Sequence, residues 1–224
     1  MNAKRLLILT GPQGSGNHLF SRVLSSHPQV RGWDALRDEY WIPSDREPFA
    51  AFWIQPQTLT ADVFEGHDYF LANVSYPFFY DGVRYQPKIR EVAERAAALG
   101  VGVDIAIVVR DQSINAVQQQ RVGGEITLGM ARDYYYSQLL DGSFPVHFLD
   151  HEALFLHGRH YLRWLSQILD FPIAWDGEDV MRFITHDANH KYVTPVAGHW
   201  LDSVIREGRR PFSERADSQA GQAT

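Results

Sequence analysis

Residues 6–18, LLILTGPQGSGNH, constrain the fold more than any other stretch. Leu6–Leu9 form a continuous apolar run, which suits a strand buried on both faces of a parallel sheet. Gly11-Pro12 ends that run, and Gly14 and Gly16 follow closely. From His18 the apolar residues Leu19, Phe20, Val23 and Leu24 recur at helical spacing, and Ser25-Ser26-His27-Pro28 ends the pattern. A strand, a glycine-rich turn and a helix in this order place a ligand crevice at the carboxyl end of the first strand. Backbone N–H groups at a helix N-terminus hold an anion without side chains, glycines let the chain curl around it, and Ser15 and Asn17 can add donors.

Further elements alternate along the chain. Strands are expected at residues 69–75 (YFLANVS), 104–109 (DIAIVV) and 146–149 (VHFL). Helices are expected at 88–99 (KIREVAERAAAL), 112–121, 125–140 and, as one long element, 152–169. Residues 33–60, with prolines at 43, 48 and 56, read as loop with short helices. The expected fold is therefore α/β, a three-layer arrangement of the phosphate-loop type with a mainly parallel central sheet. A single domain is expected over residues 1–205, followed by a polar tail at 206–224 without apolar periodicity.

Composition narrows the function. A net charge of −6 disfavours nucleic acid as a partner, since such binding needs a basic face. The absence of cysteine removes disulfides and thiolate metal sites. No apolar run approaches the roughly 20 residues of a membrane span, and Leu6–Leu9 is too short for the core of a signal peptide. A cytoplasmic location is expected. The ten histidines are scattered; His186 and His190 form the one tempting i, i+4 pair, and without a third ligand nearby no metal is expected.

The loop departs from the nucleoside triphosphatase motif G-x-x-x-x-G-K-[ST]. Aligned on Gly11 and Gly16, it carries Asn17 in place of the lysine that reaches the phosphates and His18 in place of the magnesium-binding hydroxyl. An ordinary kinase or ATPase is disfavoured, and a tight turn that binds nothing remains an alternative.

Three stretches together resemble the sulfotransferases that use 3′-phosphoadenosine-5′-phosphosulfate (PAPS). They are the loop and helix GPQGSGNHLFSRVLSSHPQV, the strand end IVVRDQ at 107–112, and HFLDHEAL at 147–154 continuing to LSQILDFP at 165–172. The resemblance implies a sulfuryl transfer from PAPS to a hydroxyl acceptor, a small molecule or a glycan. It implies that Gly14, Ser15, Gly16, Asn17 and His18 cradle the 5′-phosphosulfate and that Arg110 binds the 3′-phosphate. The serine that assists in the family falls at Gln118, so Ser113 or Gln118 is expected to supply that donor. Lys191 falls where the family has a late basic loop. The family's loop cation falls at Gly14, leaving His18, Arg22, Arg37 or Lys191 as replacements.

For the proton acceptor, Asp34 is expected first, then Glu39 and His18, with Trp33 as an apolar wall. Arg110 has a structural alternative as an ion-pair partner of Asp111 or Glu125. Aromatic segments at 40–41, 49–53 and 76–85 read as loops suited to an acceptor or as core, and Tyr134–Tyr136 as a half-buried helix face. A kinase with a degenerate loop and a binding module without turnover are the two other functions compatible with these residues.

Overall fold

Strand β1 (Arg5–Pro12) is buried on both faces, and its side chains divide between two cores. Leu6 and Ile8 point to one and Leu7 and Leu9 to the other, the period of two that a pleated strand imposes. The computed structural model describes residues 4–39, 42–185, 189, 191–193 and 196–198. The chain divides into two compact units, 1–187 and 188–224. The expected polar tail and the His186/His190 pair lie outside the described residues.

The first unit holds a five-stranded, all-parallel sheet. Its strands are β1, β2 (Val30–Arg31), β3 (Tyr69–Tyr76), β6 (Gly102–Val109) and β7 (Val146–Asp150). They lie in the order β2-β3-β1-β6-β7. Helices cover both faces. On one, α2 (Ile89–Ala98) and α4 (Leu128–Gln138) bury Ile89, Val92, Ala131, Tyr134 and Tyr135 against β1, β3 and β6. On the other, α1 (Asn17–Leu24), α5 (His151–His157), α6 (Arg159–Ile168) and α7 (Glu178–Phe183) bury Phe20, Val23, Leu154, Leu162 and Val180. This is the α/β layering expected from the sequence. Among the described residues, no helix is long and apolar enough to cross a membrane.

Several expectations are corrected. The long helix at 152–169 is two helices, because Gly158 takes φ 50° and ψ −121° and breaks the hydrogen-bond ladder between them. Segment 76–85 is not all loop: β4 (Phe78–Tyr80) and β5 (Val83–Tyr85) form an antiparallel hairpin. Its turn is Asp81-Gly82, both at positive φ, as a tight hairpin turn requires. Other expectations hold: Phe49 and Trp53 are core, with Phe64 beside them, and short 3-10 turns mark the described residues between 34 and 64. Tyr134–Tyr136 is a half-buried face, Tyr134 and Tyr135 inside and Tyr136 outside.

Segment 43–64 is anchored by Glu47. Strand β2 pairs β3 only at Tyr69 and Phe70, so the rest of that edge lacks a neighbouring strand. Glu47 Oε1 accepts from Asn73 N on β3 (2.9 Å), and Oε2 accepts from Phe49 N (2.8 Å) and Trp53 Nε1 (3.3 Å). The carboxyl satisfies edge donors that would otherwise be buried without a partner.

Candidate functional site

The chain leaves β1 toward β2 and β3 on one side and leaves β6 toward β7 on the other. The crevice between the ends of β1 and β6 is thus the topological switch point, where open α/β sheets bind ligands. The glycine-rich loop lies at one lip and Arg110 at the other.

The loop is tied down from within. Ser15 N donates to Pro12 O (3.0 Å) and Gln13 N to Tyr76 O (3.3 Å). The side chains of Ser15 and Asn17 are buried and turned toward the sheet. Ser15 Oγ donates to Asn17 Oδ1 (3.0 Å), and Asn17 Nδ2 donates to Gly11 O (3.3 Å) and Ser75 Oγ (3.0 Å). These two polar groups therefore hold the loop's shape. The backbone N–H groups of the first turn of α1 have no acceptor inside their own helix.

Each glycine has a local reason. A Cβ on Gly11 would stand 2.4 Å from Ser15 Oγ and 2.9 Å from Val108 O. Gly14 (φ 80°) and Gly16 (φ 109°) occupy the left-handed region, where a side chain is strained. A Cβ on Gly14 would meet Asn115 Oδ1 at 2.9 Å, and one on Gly16 would meet His151 Cδ2 at 2.6 Å.

Helix α3 (Gln112–Gly123) braces the loop with a polar face. Arg110 Nη1 donates to Gly14 O (2.7 Å) and to Gln118 Oε1. Gln119 Nε2 donates to Gln13 O (2.7 Å), while its Oε1 accepts from Thr127 N (2.8 Å). Asn115, 1% exposed, directs Oδ1 at Gly14, and that oxygen has no hydrogen-bond partner among the described residues. Ser113 is exposed in the first turn of α3. The two carboxylates expected as structural partners of Arg110 are engaged elsewhere. Asp111 caps α3 through Ile114 N (2.8 Å), and Glu125 pairs with Arg84 (2.8 Å).

The remaining expected residues separate. His18 stands at the start of α1, its ring edge-on to buried Trp33 with centroids 5.2 Å apart. Asp34 is exposed and pairs with Arg37 (3.1 Å), and Glu39 is exposed. Trp33 packs with Leu36, Ile42 and His18. Arg22 and Arg37 are tied near the far end of α1: Arg22 donates to Arg37 O (3.0 Å) and lies over the Phe183 ring, and Arg37 donates to Ser25 O. The loop cation is thus not replaced by either. Lys191 belongs to the second unit, where its Nζ lies 5.2 Å from the Tyr192 ring centroid.

The sequence reading missed Asn115, Gln119 and His151. The first two carried a signal, since polar residues at 115, 118 and 119 share one face of a helix without an apolar stripe. Such a face has to meet polar backbone. His151 carried none, being brought to Gly16 only by the pairing of β6 with β7.

No family model and no curated protein matches the sequence. Among solved structures, the chain is similar to the sulfotransferase domain of the Synechococcus PCC 7002 olefin synthase. Identity is 15%, coverage 82% of this chain and 78% of that one, and the TM-score 0.49. It is also similar to an unliganded sugar kinase from a Janibacter species, at 12% identity, 77% and 98% coverage and a TM-score of 0.42. A mouse sulfotransferase complexed with 3′-phosphoadenosine 5′-phosphate (PAP) aligns at 11% identity, 95% and 85% coverage and a TM-score of 0.40. The assignment to the α/β class stands on this chain's own parallel sheet, with a glycine-rich loop and a buried arginine facing each other at its switch point.

Proposed function

We propose that the chain binds PAPS at this crevice and transfers its sulfuryl group to a hydroxyl acceptor, a small molecule or a glycan. One observation carries the reading. Arg110, at the end of β6, donates to the carbonyl of Gly14 in the loop after β1, at 2.7 Å. A guanidinium beside an N-terminal anion loop suits a ligand with two separate anionic groups, such as a 5′-phosphosulfate and a 3′-phosphate.

In this reading the N–H groups of residues 16–18 receive the 5′-phosphosulfate, and Arg110 with Gln118 receives the 3′-phosphate, with Ser113 as a further donor. The acceptor oxygen forms a bond to sulfur while the bond from sulfur to the 5′-phosphate oxygen breaks. The acceptor's proton passes to His18, the second residue of α1, in preference to Asp34 or Glu39. The leaving phosphate stays on the helix N-terminus, where fixed donors stabilise its growing charge.

A binding module without turnover is the second reading. It is favoured by the inward turn of Ser15 and Asn17, which leaves the loop no side-chain donor of its own beyond His18. An assay with radiolabelled PAPS and a panel of hydroxyl acceptors, run beside one with ATP and magnesium, separates the two readings and the kinase. Label transferred from PAPS without magnesium supports the proposal. Transfer from ATP alone would overturn it.

A further inference from the structure

His151 opens helix α5 directly after β7 and is 2% exposed. Its ring edge lies against Gly16: a Cβ built there would be 2.6 Å from Cδ2 and 3.4 Å from Nε2. The ring also packs on Phe155, with centroids 5.0 Å apart. Behind it, Nδ1 lies 3.7 Å from Glu152 Oε1, and Glu152 Oε2 in turn accepts from Asp111 N (3.3 Å). One imidazole therefore touches the residue whose N–H starts the anion site, with a carboxylate on its opposite side.

We infer that His151 is the proton-controlled cation of the anion loop, taking up electrostatically the part of the lysine that position 17 lacks. This rests on the reading of the loop as an anion site, and it adds a regulation by pH that the reading does not contain. The loop already has one permanent charge beside it, Arg110 at Gly14, and His151 lies at Gly16 on the other side of Ser15. A charge at van der Waals distance from the loop, shielded from water, acts on a bound anion without touching it, because little solvent screens it. Histidine is the side chain whose charge changes near neutrality, and the Glu152 carboxylate stands 3.7 Å from this one.

Among the described residues, Asp150 and Glu152 flank His151 in the chain, Asp111 N donates to Glu152, Arg110 donates to Gly14 of the same loop, and His18 lies two residues beyond Gly16. His18 is a second histidine beside the loop, so the test follows each histidine separately.

The test uses sulfate, a dianion whose own charge is constant between pH 5 and 8, and the full-length chain. The imidazole resonances are followed by NMR through a pH titration with and without saturating sulfate. Calorimetry on wild type and His151→Gln gives the affinity at pH 5.5 and 7.5. Sulfate should move the His151 midpoint upward by about one pH unit, and wild type should bind sulfate about fivefold more tightly at pH 5.5 than at pH 7.5. His151→Gln should lose that difference. A His151 midpoint unmoved by bound sulfate would overturn the inference, even where the variant does not fold; so would a pH dependence that survives in a folded variant. A wild-type chain that binds sulfate at neither pH would instead overturn the anion-loop reading on which this inference rests.

Discussion

Arg110 Nη1 stands 2.7 Å from the carbonyl oxygen of Gly14, joining the end of one central strand to the loop that follows its neighbour. The same nitrogen also reaches Gln118 on α3. One buried guanidinium thus fixes three pieces of chain and brings a permanent positive charge to the mouth of the crevice. Removing it affects both structure and ligand. Arg110→Ala should lower stability by about 1–3 kcal/mol, the cost of leaving buried acceptors unpaired, and should weaken PAP by more than tenfold. Arg110→Lys keeps the charge but loses the fork, so it should recover only part of the affinity. Urea unfolding and calorimetry on the same preparations read the two effects.

Gly16 should tolerate no side chain. Gly16→Ala meets a left-handed backbone and the ring of His151 at once, and should cost about 1–3 kcal/mol. The double variant Gly16→Ala, His151→Ala should lose less stability than the sum of the two single losses, because the clash is relieved, and should stay below wild type, because the backbone strain remains. A double-mutant cycle from thermal melts measures the coupling.

Glu47 makes stability depend on pH in an unusual direction. Burial pushes its carboxyl from the ordinary 4.5 up to about 8, against the donors Asn73 N, Phe49 N and Trp53 Nε1 that favour the ionised form. The unfolded chain releases this proton near pH 4.5, while the folded chain holds it to about pH 8. Between these values the folded state binds more protons, so stability falls as pH rises. The contribution of Glu47 is complete below pH 4.5 and lost by about pH 8. Urea denaturation at intervals from pH 5 to 8 should show this fall in wild type and a flatter profile in Glu47→Gln. Equal slopes in both would remove Glu47 as its source.

His18 and Asp34 should separate in kinetics. Their surroundings differ, with His18 the second residue of α1 and Asp34 exposed beside Arg37. His18→Gln should abolish sulfuryl transfer while PAP still binds, whereas Asp34→Asn should keep turnover. An exposed pair such as Asp34–Arg37 contributes little, so Asp34→Asn should shift stability by no more than about 0.5 kcal/mol. Steady-state assays beside melting curves check both statements.

The sequence disclosed what depends on local periodicity. Strand β1, helix α2 and strand β6 were legible because a double-sided apolar run and an amphipathic helix carry their periods in a few adjacent residues. The order of the glycines and the place of Arg110 after a buried strand were legible for the same reason. What was hidden depends on partners distant in the chain. Asn17 reads as a donor for a ligand until Ser75 and the carbonyl of Gly11 are seen to claim its amide. The apolar spacing from Leu154 to Leu165 runs through Gly158 without a visible break, so two helices read as one. The Asp81-Gly82 turn was present, but the aromatic residues around it pointed to a binding loop and masked the hairpin.

Calorimetric binding of PAP, measured against ATP and adenosine 5′-phosphate with and without magnesium, tests the central claim most directly. PAP should bind without magnesium, more tightly than either competitor, and Arg110→Ala should remove that preference. Equal affinity for all three nucleotides, or a PAP affinity unchanged in a folded Arg110→Ala protein, would contradict it.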